Sequence, residues 1–172
     1  MNRRNFLGTF GAMAALSALA PSTLSAVNYR NTTPKAFSAT KVDAAMKALF
    51  GTTATTNSGV KVKAPNIAEN GAVIPVSFET KKLNVKRIAV FQDANPEATV
   101  MVVDIPPRAI VDYSIRIKMQ KTGNVTVVAE TTDGKLHSAV AEVKVTIGGC
   151  GGWYQHSKII IVEKNQGDIY VN

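Results

Sequence analysis

The sequence predicts an all-β protein, a β-sandwich that is preceded by one α-helix and followed by a flexible glycine arm. From Val60 onward apolar residues recur with a period of two, which is the period of a half-buried strand. Turn signals rich in Gly, Pro, Asn and Asp separate six or seven such runs, a number and spacing typical of a sandwich. The only cysteine, Cys150, follows the last run within a group of glycines.

The first 26 residues are predicted to be an export signal. Arg3 and Arg4 stand in Asn-Arg-Arg-Asn-Phe-Leu, which resembles a twin-arginine motif. A weakly apolar run over Phe10–Ala20 follows, too short for a membrane span, and then small residues. This order predicts export of the folded chain to a bacterial periplasm. The alternative interpretation is an amphipathic N-terminal helix.

Residues 27–59 are predicted to hold a polar linker, one amphipathic helix over about residues 34–50 and a surface loop. Thr33 suits the N-cap of this helix and Pro34 its first position. Apolar residues then recur at spacings of three and four, and Gly51 suits the C-terminal cap. A helix of this kind buries one face against the rest of the domain.

Residues 60–147 are predicted to form the sandwich. Pro75 falls within a strand pattern and predicts an edge or a bulge, because proline cannot donate a ladder hydrogen bond. Asn70-Gly71 predicts a hairpin turn. Thr99–Ile105 is continuously apolar, which predicts a buried strand. The other strands are expected around Ile74–Phe78, Lys86–Gln92, Ser114–Met119, Val125–Ala129 and Ala139–Ile147.

Residues 148–152 are predicted to be a slim, flexible arm that carries Cys150. Glycine lacks a side chain and has the widest backbone freedom. Five extended residues span roughly 16–18 Å, so the arm could carry a thiol into a narrow channel of another protein. A lone cysteine in an exported chain either pairs with another chain or reacts as a free thiol. The four glycines that flank it are Gly148, Gly149, Gly151 and Gly152.

Composition excludes several other classes of function. Neither His137 nor His156 has a second ligand at metal spacing, and no CxxC or HExxH motif is present, so no metal site is predicted. The formal net charge of +8 falls to +6 without the signal, and its basic residues are scattered. We therefore expect no nucleic-acid binding and no membrane insertion, but attraction to anionic small molecules or acidic partners.

The cysteine arm also carries a resemblance to a known family. Val-Thr-Ile-Gly-Gly-Cys-Gly-Gly at 145–152 resembles the end of SoxY, the sulfur-carrier subunit of the bacterial Sox thiosulfate-oxidation system. Pro-Asn-Ile-Ala-Glu-Asn-Gly-Ala-Val-Ile-Pro-Val at 65–76 is similar to an upstream segment of that family. Asn95-Pro96, the leader and the helix end at 48–51 also fit. The resemblance covers about residues 34–152.

The resemblance implies an immunoglobulin-like sandwich that forms a heterodimer with a second β-sandwich, SoxZ. It implies that the haem enzyme SoxXA joins thiosulfate oxidatively to Cys150, that SoxB releases sulfate, and that a sulfane dehydrogenase, where present, oxidises the remaining sulfur. The chain itself would then hold no catalytic residue and no cofactor other than sulfur bound covalently to Cys150. Its flanking glycines would provide clearance.

The tail, residues 153–172, departs from the family, in which the arm ends the chain or nearly so. Residues 158–163 predict a strand, 165–168 a turn and 169–171 a second strand, which together form a small hairpin. Three explanations stay open. The tail is removed by processing, it comes from a frameshift or an extension of the gene model, or it is real, folds back and partly masks the thiol.

Two other functions are compatible with the sequence. The first is a secreted β-sandwich interaction module that uses Cys150 only for an intermolecular disulfide. The second is a thiol enzyme, which needs a base beside the cysteine; His137 and His156 are the only histidines. A flexible glycine flank is poorly suited to hold such a pair in fixed geometry.

Overall fold

The computed structural model describes residues 27–81 and 83–146, and additionally the backbone of residues 160–163 and 169–170. Within residues 27–59, three short helices precede the strands. The helices are α1 (Tyr29–Thr32), α2 (Pro34–Phe37) and α3 (Val42–Phe50). The strands are β1 (Val60–Lys63), β2 (Ile67–Ala68), β3 (Ile74–Thr80), β4 (Val85–Gln92), β5 (Thr99–Asp104), β6 (Asp112–Ile117), β7 (Gly123–Thr131), β8 (Leu136–Val145), β9 (Ile160–Glu163) and β10 (Ile169–Tyr170).

The strands form two sheets, and the predicted β-sandwich is confirmed. The first sheet has the order β1-β3-β6-β9-β10 and the second the order β2-β8-β7-β4-β5. All described pairings are antiparallel except that of β2 with β8. The main core lies between the sheets, where Phe78 of β3, Ile88 of β4 and Ile115 of β6 are fully buried. Each such side chain contributes about 1.5–3 kcal/mol relative to an exposed one.

Strand β3 shows how the alternating pattern forms the sheet. Ile74, Val76 and Phe78 face the core, whereas Pro75 is exposed. Strand β1 pairs with β3 only from Ser77 onward, so Pro75 has a neighbouring strand on the β6 side alone. The prediction of a local edge at this proline is confirmed, because no ladder bond is required on its open side.

A second, smaller core lies on the outer face of the second sheet. Ala45 and Met46 of α3 pack there against Phe91, Val128 and Leu136. Strand β4 is therefore covered on both faces, and its last five residues are all buried. This explains the uninterrupted apolar run Ile88–Phe91 within β4.

The prediction of a fully buried strand over Thr99–Ile105 is only partly correct. Strand β5 is the edge of the second sheet and pairs only with β4. Thr99, Met101 and Ile105 are buried, but the residues between them are half-buried or exposed. The apolar side chains of β5 cover the edge of the second sheet. The short helices lie over part of this edge and contact Val102.

The prediction of one helix over about 34–50 is wrong in its middle, because the structure divides it into α2 and α3. The Ala36 carbonyl accepts a hydrogen bond from the Thr99 hydroxyl at 2.7 Å. The Ala39 carbonyl accepts one from the Ala98 N–H at 2.9 Å. These carbonyls bond to the β4–β5 region of the sheet instead of continuing a helix. The C-terminal cap is confirmed: Gly51 has φ +77° and donates its N–H to Lys47 O.

Helix α1 lies within the segment predicted to be a linker, and Tyr29 anchors it to the second sheet. The Tyr29 hydroxyl donates to the Asp104 carboxylate at 2.6 Å. Arg87 lies over the Tyr29 ring at 4.8 Å and also contacts Asp104 at 3.0 Å and Glu130 at 3.4 Å. Burial, followed by the hydrogen bond to Asp104, raises the pKa of Tyr29 to about 12. The protonated phenol is therefore the form that the fold stabilises.

This raised pKa predicts an alkaline loss of stability. The unfolded phenol titrates near 10.0, so the contribution of Tyr29 is complete below that pH and declines as pH rises from about 10 to about 12. We expect the Tyr29→Phe variant to lack this part of the decline. Urea unfolding at pH 8.5 and pH 11 measures the decline in stability of each protein. Lysine titration contributes equally to both declines, so it cancels when the two proteins are compared. Parallel declines in the two proteins would contradict the prediction.

The predicted C-terminal hairpin is confirmed at the level of the backbone. Strands β9 and β10 pair antiparallel, with Ile169 opposite Ile161 and Tyr170 opposite Ile160. Strand β9 also pairs with β6, so the hairpin extends the first sheet.

Candidate functional site

The residues predicted to carry the function follow β8, and the structure describes the platform from which their segment starts. That platform is the end of β8, Val145, together with Thr146. Several of the predicted functional residues lie outside the described ranges: Cys150, Gly148, Gly149, Gly151, Gly152 and the signal residues Arg3 and Arg4.

The start of the arm is held from two sides. On one side, the Val145 N–H donates to the Thr122 hydroxyl at 3.0 Å. On the other side, β2 runs parallel to β8, and the Thr146 N–H donates to the Ala68 carbonyl at 3.1 Å. The Lys144 N–H donates to the Asn66 carbonyl at 3.0 Å. The backbone is therefore tied to its neighbours up to the residue before Ile147.

The segment at 65–76 supports this platform, and its turn differs from the prediction. Strand β2 belongs to the second sheet and β3 to the first, so Asn70-Gly71 connects two sheets and the predicted hairpin is wrong. The Asn70 side-chain oxygen accepts the Ala72 N–H at 2.8 Å, which closes an Asx turn. The Gly71 carbonyl accepts the Met119 N–H at 2.8 Å.

Gly71 is required by close packing at this point. A Cβ there would lie 2.2 Å from the Met119 carbonyl oxygen and 3.0 Å from Cγ1 of Val145. The turn, the end of β6 and the start of the arm therefore meet at one glycine. Sequence reasoning recognised the 65–76 segment but missed that it lies beside the arm. No periodic signal was available in the sequence, because the two-residue strand β2 is too short for periodicity to identify.

A wide groove of about 570 Å³ opens beside the start of the arm, between β1, β2 and β8. Lys63 and Lys144 contribute two ammonium groups to it, and Glu142 contributes one carboxylate. Asn66 and the largely exposed Ile67 line it as well. The groove is open and mildly cationic, so it could accept small anions, but it offers no enclosed reaction chamber.

His137 cannot serve as a base for Cys150. It lies at the beginning of β8, eight residues before Val145, or about 26 Å along the strand. Cys150 can extend only roughly 16–18 Å beyond Val145. Instead, His137 Nδ1 lies 3.1 Å from the Ser58 carbonyl and helps to fix the loop after α3.

Within the described ranges no cluster of three or more His, Cys, Asp or Glu side chains could hold a metal ion. None of the helices in these ranges is long and apolar enough to cross a membrane.

The fold and this platform define a class of protein. It is a small two-sheet β-sandwich in which β8, the last strand of the second sheet along the sequence, is followed within a few residues by a glycine-flanked cysteine. The family model described as sulfur oxidation protein SoxY matches residues 46–150, more than half of the chain. The chain belongs to this family of sulfur-oxidation carriers. The match ends on Cys150, so the hairpin lies beyond it.

A solved structure agrees with this assignment. The sulfur carrier protein SoxY from Chlorobium limicola f thiosulfatophilum is 42% identical, with a TM-score of 0.57 over 62% of this chain and 97% of that chain.

Two less similar structures are superoxide reductases. Neelaredoxin from Ignicoccus hospitalis is 18% identical, with a TM-score of 0.46 over 51% of this chain and 80% of that chain. A putative superoxide reductase from Thermotoga maritima is 12% identical, with a TM-score of 0.44 over 51% of this chain and 86% of that chain. Both TM-scores are below 0.5, so these two structures support no conclusion. No curated protein sequence matches this chain.

Proposed function

We propose that this chain carries sulfur intermediates covalently during thiosulfate oxidation, and that Cys150 is their point of attachment. The observation that carries the proposal is the family match, which extends to Cys150 itself. The arrangement supports it: Thr146, the last described residue before the arm, is tied to a neighbouring strand, and Gly148 and Gly149 precede the cysteine in the sequence. A fixed base followed by a glycine-rich sequence suits a carrier better than an in-chain active site, because catalysis requires fixed geometry.

The proposed loading step is an oxidation. The thiolate of Cys150 and the outer sulfur of thiosulfate form a sulfur–sulfur bond, and two electrons leave to a haem enzyme of the SoxXA type. The product is a cysteine S-thiosulfonate. A SoxB-like hydrolase then adds water across the bond between the outer sulfur and the sulfonate. Sulfate leaves, two protons are released, and a persulfide stays on Cys150.

The chain itself contributes attachment and presentation to these steps. A sulfane dehydrogenase is proposed to catalyse the oxidation of the sulfur that remains on Cys150. The proposed stable partner is a SoxZ-like β-sandwich subunit, and the proposed compartment is the periplasm, reached through Arg3 and Arg4 of the signal. Gly148, Gly149, Gly151 and Gly152 keep the arm narrow enough to enter partner enzymes.

Intact mass spectrometry tests the proposal. The mature protein is incubated with thiosulfate and its cognate haem enzyme, with the Cys150→Ser variant as control. We expect the mass of one thiosulfate group on the wild-type chain and none on the variant. We also expect a complete loss of thiosulfate-dependent turnover in the reconstituted system with the variant.

Two outcomes would contradict the proposal. Undiminished thiosulfate oxidation by Cys150→Ser would exclude this thiol as the attachment point. A reducible dimer that never forms a sulfur adduct would instead identify an interaction module joined by a disulfide. Because an unloaded carrier thiol also forms disulfides, the adduct must be sought after reduction and removal of the reductant.

A further inference from the structure

A segment that precedes the family match lies over one edge of the second sheet. The match begins at residue 46, whereas α1 and α2 lie within Tyr29–Phe37, the segment that we call the strap. Three strap side chains are buried, and they pack against Val102 of β5 and Leu49 of α3: Tyr29, Ala36 and Phe37. The strap is therefore attached to β5, the edge strand of this sheet.

Two consecutive strap residues contact the two acids that flank β5. The Tyr29 hydroxyl donates to the carboxylate of Asp104, the last residue of the strand, at 2.6 Å. The Arg30 guanidinium lies 3.4 Å from the carboxylate of Glu97, which precedes the strand. The strap therefore reaches both ends of β5, and its contacts occupy both flanking carboxylates.

The strand beneath the strap has the composition of a self-pairing segment. Ala98–Val103 are six uncharged residues without Gly or Pro, and four of them are β-branched. Segments of this kind pair readily with identical segments of other chains. Charged residues at the ends of such a run limit this pairing, and here both of them are engaged by the strap. Protection of the run therefore depends on the strap as well as on its flanking acids.

The backbone of β5 also has an open side. The Ile105 N–H donates to the Lys86 carbonyl across the ladder to β4, at 2.8 Å. Bonded residues alternate in an antiparallel pair, so the backbone groups of Val102 and Asp104 point away from β4. No strand of the two described sheets pairs with β5 on that side. An uncovered edge of this kind is a template for a strand of another molecule.

We propose that β5 is a latent self-pairing edge, and that the strap keeps a second copy of this chain from pairing with it. With the strap in place, Tyr29 and Phe37 cover Val102 at the middle of the edge. With the strap detached, β5 of a second copy adds antiparallel to this edge and extends the second sheet across two molecules. A second copy fits because the uncharged run then faces an identical uncharged run. This inference does not depend on the proposed carrier role.

The expected product is a closed dimer. Backbone groups that point outward must meet groups that also point outward, so Val102 lies opposite Val102 or Asp104 of the second copy. Two identical antiparallel strands are related by a twofold axis, which makes the interface self-complementary. Each copy then uses its β5 edge, and none remains for a third copy.

The test uses the full mature chain with Cys150→Ser, so that no disulfide joins two copies. Tyr29→Ala combined with Phe37→Ala removes the two large side chains that attach the strap. Asn31→Ala combined with Lys35→Ala, at exposed positions of α1 and α2, is the matched control. Sedimentation velocity over a range of protein concentrations measures the dissociation constant of the dimer.

A further variant identifies the surface that pairs. Val102→Pro, added to the detached strap, removes an N–H that points away from β4, so the ladder between β4 and β5 keeps its bonds. Hydrogen exchange of three peptides accompanies each variant. Tyr29–Phe37 reports detachment of the strap, Thr99–Asp104 reports pairing of the edge, and Gly123–Thr131 reports whether the sandwich is intact.

Three results are expected. In Tyr29→Ala/Phe37→Ala the strap peptide exchanges faster, and the dimer dissociation constant falls at least about tenfold relative to the control variant. Exchange in the β5 peptide slows as protein concentration rises, because pairing protects the outward N–H groups. Adding Val102→Pro returns the dissociation constant to that of the control and abolishes the concentration dependence.

Any of three results overturns the inference. Unchanged exchange in the strap peptide would show that Tyr29 and Phe37 do not attach it. A detached strap with unchanged dimerisation would show that the strap guards no pairing edge. Tighter dimerisation that persists with Val102→Pro would place the interface elsewhere. A faster β7 peptide would point to a disrupted fold; the milder pair Tyr29→Phe and Arg30→Ala, or Val102→Lys for the proline, then takes its place under the same criteria.

Discussion

Gly71→Ala is expected to lower the free energy of unfolding by about 2–4 kcal/mol, the sum of overpacking and a weakened backbone hydrogen bond. The new Cβ would lie 2.2 Å from the Met119 carbonyl oxygen, a backbone atom that cannot rotate away. Relief requires the turn and the end of β6 to separate, which strains the 2.8 Å bond from the Met119 N–H to the Gly71 carbonyl.

Urea unfolding at neutral pH measures this loss, and Gly51→Ala is the matched control. Gly51 has φ +77° and open space where a Cβ would be placed, so its substitution should cost only about 1 kcal/mol of backbone strain. Equal losses of unfolding free energy in Gly71→Ala and Gly51→Ala would contradict the role assigned to packing at Gly71. Because Val145 is also close to this Cβ, increased exchange at the end of β8 is expected in Gly71→Ala only.

The second large effect is expected in the arm. Valine at both Gly149 and Gly151 should slow the loading of Cys150 by the cognate haem enzyme roughly 100-fold, as small misplacements in an enzyme site commonly do. Two β-branched side chains widen the arm and restrict its backbone. Stability should change by less than about 0.5 kcal/mol, because both residues lie in the sequence between Thr146, which is tied to the sandwich, and β9.

Single-turnover loading followed by intact mass measures the rate. Thr146→Val is the control: it places a valine before the arm, at a residue whose N–H is bonded to the Ala68 carbonyl, and only exchanges a hydroxyl for a methyl group. Iodoacetamide labelling of Cys150 should be similar in all variants, because a small reagent needs little clearance. An unchanged rate of Cys150 loading in the double variant would show that the glycines do not act by keeping the arm narrow.

Much of the fold was predictable from local patterns. Alternation located β3, β6 and β8, because one face of each strand packs against the main core and a period of two follows directly from the pleat. Gly51 was predictable as a helix end, since a left-handed residue there is nearly always glycine. The Asp133-Gly134 turn between β7 and β8 was predictable for the same reason, with φ +81° at Gly134.

Features that depend on distant partners were not predictable. The break between α2 and α3 arises because carbonyls of Ala36 and Ala39 bond to Thr99 and Ala98, about sixty residues away in the sequence. The burial of Gln92 has a similar origin. Its side chain accepts the N–H groups of Ala94 and Asn95, and donates to a carbonyl of the β4–β5 loop. No local sequence pattern predicts a buried side-chain amide that is hydrogen-bonded in this way.

The β-sandwich, the family and the candidate cysteine follow from the sequence, because strand period, turn residues and the glycine-flanked cysteine are all local properties of the chain. The three-dimensional fold was needed to show that the 65–76 segment crosses between sheets, that β2 and Thr122 hold the start of the arm, and that the tail hairpin pairs with β6. These are pairings of backbone groups far apart in the chain. Any strand can supply the same N–H and C=O groups, so the choice of partner is made by the packing of the whole sandwich.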